Sequence, residues 1–130
     1  MKPTFFAALL FICASALFLG YSSQAVADEV VETSADDMLG IYLKNELAGD
    51  QQFKGKKVKV TGEIRDISKS PTGHYYVTLK AKDMMRAVQC FFPESQLEAL
   101  LKLEKGKQLT TTCDVRGLGM LNLELIDCAL

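Results

Sequence analysis

Apolar residues alternate with polar ones over much of this chain, and elsewhere they recur every three to four positions. Val58, Val60, Gly62 and Ile64 share one face, while Lys57, Lys59, Thr61, Glu63 and Arg65 share the other. That is the period of a half-buried strand. Gly62 inside it implies a bend or bulge, and Ile67, out of phase with Ile64, also implies a bulge. Pro71 and Gly73 turn the chain. A second strand is predicted over 74–80, with Tyr75, Val77 and Leu79 on one face and His74, Tyr76, Thr78 and Lys80 on the other. A third, over 87–92, alternates Val88, Cys90 and Phe92 with Ala87, Gln89 and Phe91. Leu109, Thr111, Cys113 and Val115 mark a fourth strand, and Leu121, Leu123 and Leu125 a fifth, with a turn at Gly117–Gly119 between them.

Two helices interrupt this pattern. Ser34 with Asp37 three residues on is a capping-box arrangement. Met38/Leu39, Tyr42/Leu43 and Leu47 follow at helical spacing, giving about three turns that Ala48-Gly49-Asp50 ends. Pro93 stops the third strand, and Leu97, Leu100, Leu101 and Leu103 predict a helix over 94–104, closed by Gly106. The order is helix, three strands, helix, two strands. A long first strand kinked at a glycine, with a helix between strands three and four, is the plan of an OB-fold: mainly β, a five-stranded Greek-key barrel. An open α+β sheet is the alternative.

The N-terminus has a different character. Lys2 precedes an uncharged apolar run from Phe5 to Leu19, and Ala25-Val26-Ala27 leads into the acidic Asp28-Glu29. This is the pattern of a signal peptide, residues 1–27, cleaved after Ala27. The run of 15 residues is short for a bilayer span, which needs about 20. The expected product is exported, periplasmic or secreted, with no membrane span once the signal is removed. Residues 28–33 read as a flexible lead-in and 34–130 as one domain, a size that one core can stabilise. Removing Lys2 leaves fourteen basic against sixteen acidic residues, a net charge of −2. A generic polyanion binder is not expected from such a total.

Several short motifs carry a resemblance. Leu39-(x)2-Tyr42-(x)2-Asn45, Phe53-Lys54-Gly55-Lys56, Val58-x-Val60-Thr61-Gly62, Val88-x-Cys90-Phe91-Phe92 and Asp127-Cys128-Ala129-Leu130 are similar to the tRNA-anti-like family over roughly residues 35–130. The resemblance implies a small, exported bacterial OB-fold protein. It implies no settled activity, because these motifs determine fold and carry almost no chemistry. It also implies a disulfide between Cys90 and Cys128. Cys113 is the alternative partner, since the fifth strand of such a barrel lies between the third and the fourth.

Chemistry is sparse. A zinc site from the cysteines and His74 lacks ligand spacing, so neither a metal nor another cofactor is expected. No nucleophile motif or phosphate-cradling loop appears, so enzymatic activity is not expected. Between Phe53 and Phe92, however, nine basic residues face only three acids. The outer face of strands two and three is the usual OB ligand surface. The binding candidates are accordingly Tyr76 and Phe91 as stacking platforms, with Lys80, Lys82, Arg86, Lys57 and Lys59 around them. The expected function is a non-catalytic binding module for a small molecule, glycan or peptide. The alternatives are nucleic-acid binding, or service as a structural or partner-binding accessory protein of the cell envelope; the expected partner is an unknown ligand or an envelope protein.

Overall fold

The computed structural model describes residues 29–130, so the expected signal segment 1–27 lies outside the described residues. Five strands close a barrel: β2 (Lys57–Lys69), β3 (Tyr75–Leu79), β4 (Val88–Phe92), β5 (Gln108–Leu118) and β6 (Leu123–Ala129). Their order is β2–β3–β4–β6–β5, and β5 returns to β2. β4 and β6 run parallel; the other barrel pairs are antiparallel. This is an OB-fold, and its interior is the inward set of the sequence alternation. Val58, Val60, Ile64, Val77, Leu79, Val88, Cys90, Phe92, Leu109, Cys113, Val115, Leu123 and Leu125 are all buried. Burying each large aliphatic or aromatic side chain contributes about 1.5–3 kcal/mol, which makes this interior the main source of stability.

β2 does two jobs. Its first half, Val58 to Glu63, pairs with β5, and its second half, Ile64 to Lys69, pairs with β3. The handover falls at Ile64, whose N–H donates to the Lys107 carbonyl while its carbonyl accepts from the Gly106 N–H. The β2–β3 register shifts between Ile64 and Asp66. The bulge expected from the phase of Ile67 is therefore present, at Arg65 rather than at Gly62. Gly62 instead permits close approach: a Cβ there would lie 3.0 Å from the Ala35 Cβ and 3.2 Å from the Leu79 Cβ.

The N-terminal segment departs from the lead-in expected over 28–33. Val30–Ser34 form a strand, β1, parallel to the first half of β2. Val31 packs on the core, while Glu29 and Glu32 pair with Lys56 and Lys59 at 3.9 and 3.7 Å. Backbone pairing and complementary charge hold five residues whose composition alone would not. The first helix also differs, splitting into α1 (Ala35–Lys44) and α2 (Glu46–Phe53). Ser34 caps α1 through the Asp37 N–H, as the capping pattern predicts. Asn45 is extended and serves both helices: its N–H donates to the Ile41 carbonyl and its side chain accepts from the Ala48 N–H. The pair lays Ala35, Met38, Leu39, Tyr42 and Phe53 against the barrel. Tyr42 and Phe53 stack with centroids 6.0 Å apart. Gly49 does not stop a helix; it makes room for Tyr42, whose ring lies 2.6 Å from where a Cβ would stand.

The second expected helix is shorter than 94–104. A 3-10 turn at Glu94–Gln96 leads into α3, Leu97–Leu100, and the chain then unwinds with Leu101 exposed. β6 begins at Leu123, so Leu121 is in the connecting loop and exposed. Near its end Asp127 takes a left-handed φ of 50°, and that extra step turns Cys128 into the core after Leu123 and Leu125.

Valine favours strands more than glycine does, so any cost of Gly62→Val reports the contact with Ala35 and Leu79 rather than propensity. Crowding of this kind costs about 1–3 kcal/mol, which lowers Tm by roughly 4–8 °C per kcal/mol in a domain of this size. Gly40, inside α1 with nothing within 4 Å of a Cβ, is the control: Gly40→Ala is expected to raise stability by about 0.5–1 kcal/mol. Thermal melts of the two variants check both signs, and an unchanged Tm for Gly62→Val would contradict the close approach.

Candidate functional site

On the outer face of the barrel, strand register assembles a row of side chains. Tyr76 of β3 stands opposite Ser68 of β2 on one side and Phe91 of β4 on the other. The Tyr76 and Phe91 rings meet with centroids 5.7 Å apart, tilted by 53°. Both are half-buried. β4 and β6 pair only as far as Cys90 and Leu125, after which the strands part. A cleft of about 510 Å³ opens there, lined among others by His74, Phe91, Arg116, Ile126 and Asp127. Concave sites with an apolar floor and a few polar groups are the usual form of small-ligand pockets. His74 is exposed at the turn before β3, where its backbone N–H donates to the Ser70 hydroxyl. Arg116 holds Glu124 at 3.7 Å, leaving most of its side chain exposed.

The sequence candidates divide. Tyr76 and Phe91 come together. The cations do not gather around them. Lys57 reaches Asp114 at 2.9 Å, Lys59 reaches Glu32 at 3.7 Å, and Lys80 reaches Glu63 at 2.9 Å. Lys82 reaches Asp36 at 3.5 Å. Lys80 lies four residues beyond Tyr76, roughly 13 Å along an extended strand. Lys82 and Arg86 are in the loop after it, where the backbone N–H of Arg86 donates to the Asp83 carboxylate. Acids from β1 and α1 thus offset a basic excess that a count over residues 53–92 alone does not balance. Sequence reading missed His74, Arg116, Ile126 and Asp127 as cleft residues. Ile126 was findable as the outward neighbour of Leu125, but Asp127 depends on a backbone twist that residue type does not announce.

A second, larger groove of about 790 Å³ runs between α1 and Ala81–Asp83. It holds no aromatic side chain, and Lys82 and Asp36 close on each other across it. Of the two depressions, only the Phe91 cleft offers a stacking surface.

The cysteines correct one expectation. Cys113 of β5 is bonded to Cys128 of β6, and Cys90 of β4 is the free thiol. The resemblance implied Cys90–Cys128; the structure uses the alternative partner. All three sulfurs lie within 4.8 Å of one another, so neighbourhood alone does not choose between the pairings. Burial pushes the Cys90 thiol up to about 12, which keeps it protonated and a poor nucleophile. Tyr42, also buried, donates its hydroxyl to Asp50 at 3.0 Å, and both desolvation and that bond push its pKa up.

Comparisons with known proteins agree with this architecture. No curated protein matches the sequence. Among solved structures, a lipoprotein from Klebsiella pneumoniae, to which nucleic-acid binding is ascribed as a proposal, is 24% identical with a TM-score of 0.56, covering 72% of this chain and 87% of that one. An OBody bound to hen egg-white lysozyme is 10% identical with a TM-score of 0.43, covering 59% and 82%. Asparaginyl-tRNA synthetase from Entamoeba histolytica is 17% identical with a TM-score of 0.46, covering 78% of this chain and 23% of that one. At 24% identity, the likeness to the Klebsiella protein speaks to fold alone. The model of the tRNA_anti-like family matches residues 6–129, nearly the whole sequence, and the chain belongs to that family.

Proposed function

We propose that this protein is an exported, non-catalytic OB-fold binding module whose ligand, a small molecule, glycan or peptide, lies across the outer face of β3, β4 and β6. The observation that carries the reading is the half-buried Tyr76–Phe91 pair, of which Phe91 lines the cleft where β4 and β6 part and Tyr76 packs against it on the outer face of β3. Phe91 lines the cleft together with Arg116, His74 and Asp127, and half-buried Tyr76 packs beside it, an aromatic surface with polar groups at its edge, suited to a ring-bearing ligand. A non-catalytic role is supported by the remote setting of the usual nucleophiles: Cys90 is buried and protonated, and His74 sits on an exposed turn. Export is supported by the signal-like residues 1–27 and by a disulfide, a bond that oxidising compartments maintain. No helix among the described residues is long and apolar enough to cross a membrane.

Nucleic acid is the second reading, favoured by the same aromatic pair and by the proposal made for the Klebsiella relative. The ion pairs of Lys57, Lys59, Lys80 and Lys82 weigh against it, because phosphate contacts supply most of the affinity for a polyanion. Fluorescence anisotropy with a labelled N-acetylglucosamine oligosaccharide and a labelled mixed-sequence single strand separates the readings. Saturable oligosaccharide binding that tolerates salt and weakens roughly ten-fold or more in Tyr76→Ala is the expected result, since one stacking platform contributes about 1–3 kcal/mol. Steeply salt-dependent binding of the single strand, also lost in Tyr76→Ala, would favour nucleic acid instead. Indifference of both probes to Tyr76→Ala would remove this face from consideration.

The acids on and just before β1, with Asp36 of α1, make a further expectation. The triple variant Glu29→Gln, Glu32→Gln, Asp36→Asn releases Lys56, Lys59 and Lys82. Single-strand binding at low salt is then expected to strengthen. Its log–log salt slope should steepen by up to about 2, at about 0.7 per phosphate neutralised. Anisotropy titrations across a salt series check it.

A further inference from the structure

The barrel interior holds three cysteines on three consecutive positions of the closed sheet: Cys90 on β4, Cys128 on β6 and Cys113 on β5. All three are fully buried, and their sulfurs lie within 4.8 Å of one another. β6 lies between β4 and β5, so Cys128 sits on a strand hydrogen-bonded to both of the others, while β4 and β5 are not paired with each other. A structural disulfide needs two cysteines. The third stands within reach of the same bond, and its thiol is free. We propose that this is a thiol–disulfide exchange site, in which Cys90 displaces Cys113 from Cys128 and the disulfide moves from the β5–β6 seam to the β4–β6 seam.

The exchange balances internally. Cys90 loses its proton, its sulfur attacks Sγ of Cys128, the Cys113–Cys128 bond breaks as the Cys90–Cys128 bond forms, and the expelled Cys113 sulfur takes up a proton. One disulfide and one thiol exist before and after, so neither oxidant nor reductant is consumed. Full burial excludes external thiols from the attack and keeps Cys90 protonated, so the step proceeds slowly, through partial opening of the core.

The two isomers hold the cleft differently. β4 and β6 share only three register pairs, ending at Cys90 and Leu125 where the cleft begins. Phe91 follows Cys90 directly, and Asp127 precedes Cys128 directly. Moving the bond therefore ties the backbones of two cleft-lining residues to each other, whereas the present bond ties β6 to its other neighbour, β5, away from the cleft side. The exchange itself does not depend on what the cleft binds.

Tryptic mapping reads the isomers separately, because Cys90, Cys113 and Cys128 fall in the peptides 87–102, 108–116 and 117–130, and Cys13 in 1–44. The oxidised protein is equilibrated in urea below its unfolding transition, and thiols are trapped with N-ethylmaleimide under denaturing, acidic conditions before digestion. The expected result is a cross-link of 87–102 to 117–130 that grows with time, matched by gain of label on Cys113 and loss of label from Cys90. A cross-link of 108–116 to 117–130 alone, unchanged at equilibrium, would overturn the proposal, and a cross-link of 87–102 to 108–116 would overturn Cys128 as the pivot. Cys113→Ser, oxidised with glutathione disulfide, supplies the second readout. A folded variant should lose both remaining barrel thiols and form the 87–102 to 117–130 cross-link; folded protein that keeps both thiols contradicts the geometry. Failure of that variant to fold leaves the wild-type map as the decisive measurement.

Discussion

β2 has to satisfy β5 along its first half and β3 along its second, and it changes partner at Ile64 through hydrogen bonds to Gly106 and Lys107. Closure of the barrel depends on this handover, because an open edge would leave the backbone of β5 or β3 without a partner. The register shift at Arg65 sets the phase of everything downstream. It places Tyr76 opposite Ser68 and outward, and β3 then sets Phe91 outward beside it. Upstream, Gly62 lets Ala35 settle at the barrel wall, so α1 and α2 can pack Met38, Leu39, Tyr42 and Phe53 against the core. The aromatic face and the helical buttress are thus consequences of one strand's divided pairing.

Much of this was legible because alternation is a strong signal wherever one face is buried. All five barrel strands, the bulge in the first and the outward direction of Tyr76 and Phe91 follow from period-two patterning alone. The quoted family motifs turn out to be mechanical. Tyr42 stacks on Phe53, Asn45 caps two helices, Val58 and Val60 fill the core, and Gly62 makes room for Ala35. What stayed hidden depends on distant partners. Val30–Ser34 is a strand only because β2 offers an unpaired edge beside it. The break at Asn45 comes from an extended backbone whose N–H closes α1 while its side chain opens α2. The disulfide is a choice among three sulfurs at similar range, which spacing along the chain cannot make.

Charge shows the same limit from another side. A window over residues 53–92 is strongly basic, yet the partners of Lys56, Lys59 and Lys82 come from residues 29–36, and that of Lys57 from Asp114. Folding brings those acids alongside. Exposed pairs of this kind add little stability, but they reduce the local field that would draw in a polyanion. The distinctive surface that remains is aromatic rather than cationic.

Backbone amide chemical-shift mapping with an N-acetylglucosamine oligosaccharide and, separately, a single-stranded oligonucleotide tests that conclusion most directly. If the Tyr76–Phe91 face is the ligand surface, a binding probe moves the amides of His74, Tyr76, Phe91, Arg116, Ile126 and Asp127 saturably and leaves α1 and Ala81–Asp83 unmoved. Saturable shifts confined to the groove between α1 and Ala81–Asp83, or to the paired lysines of β2, would contradict it and move the functional surface to another part of the barrel.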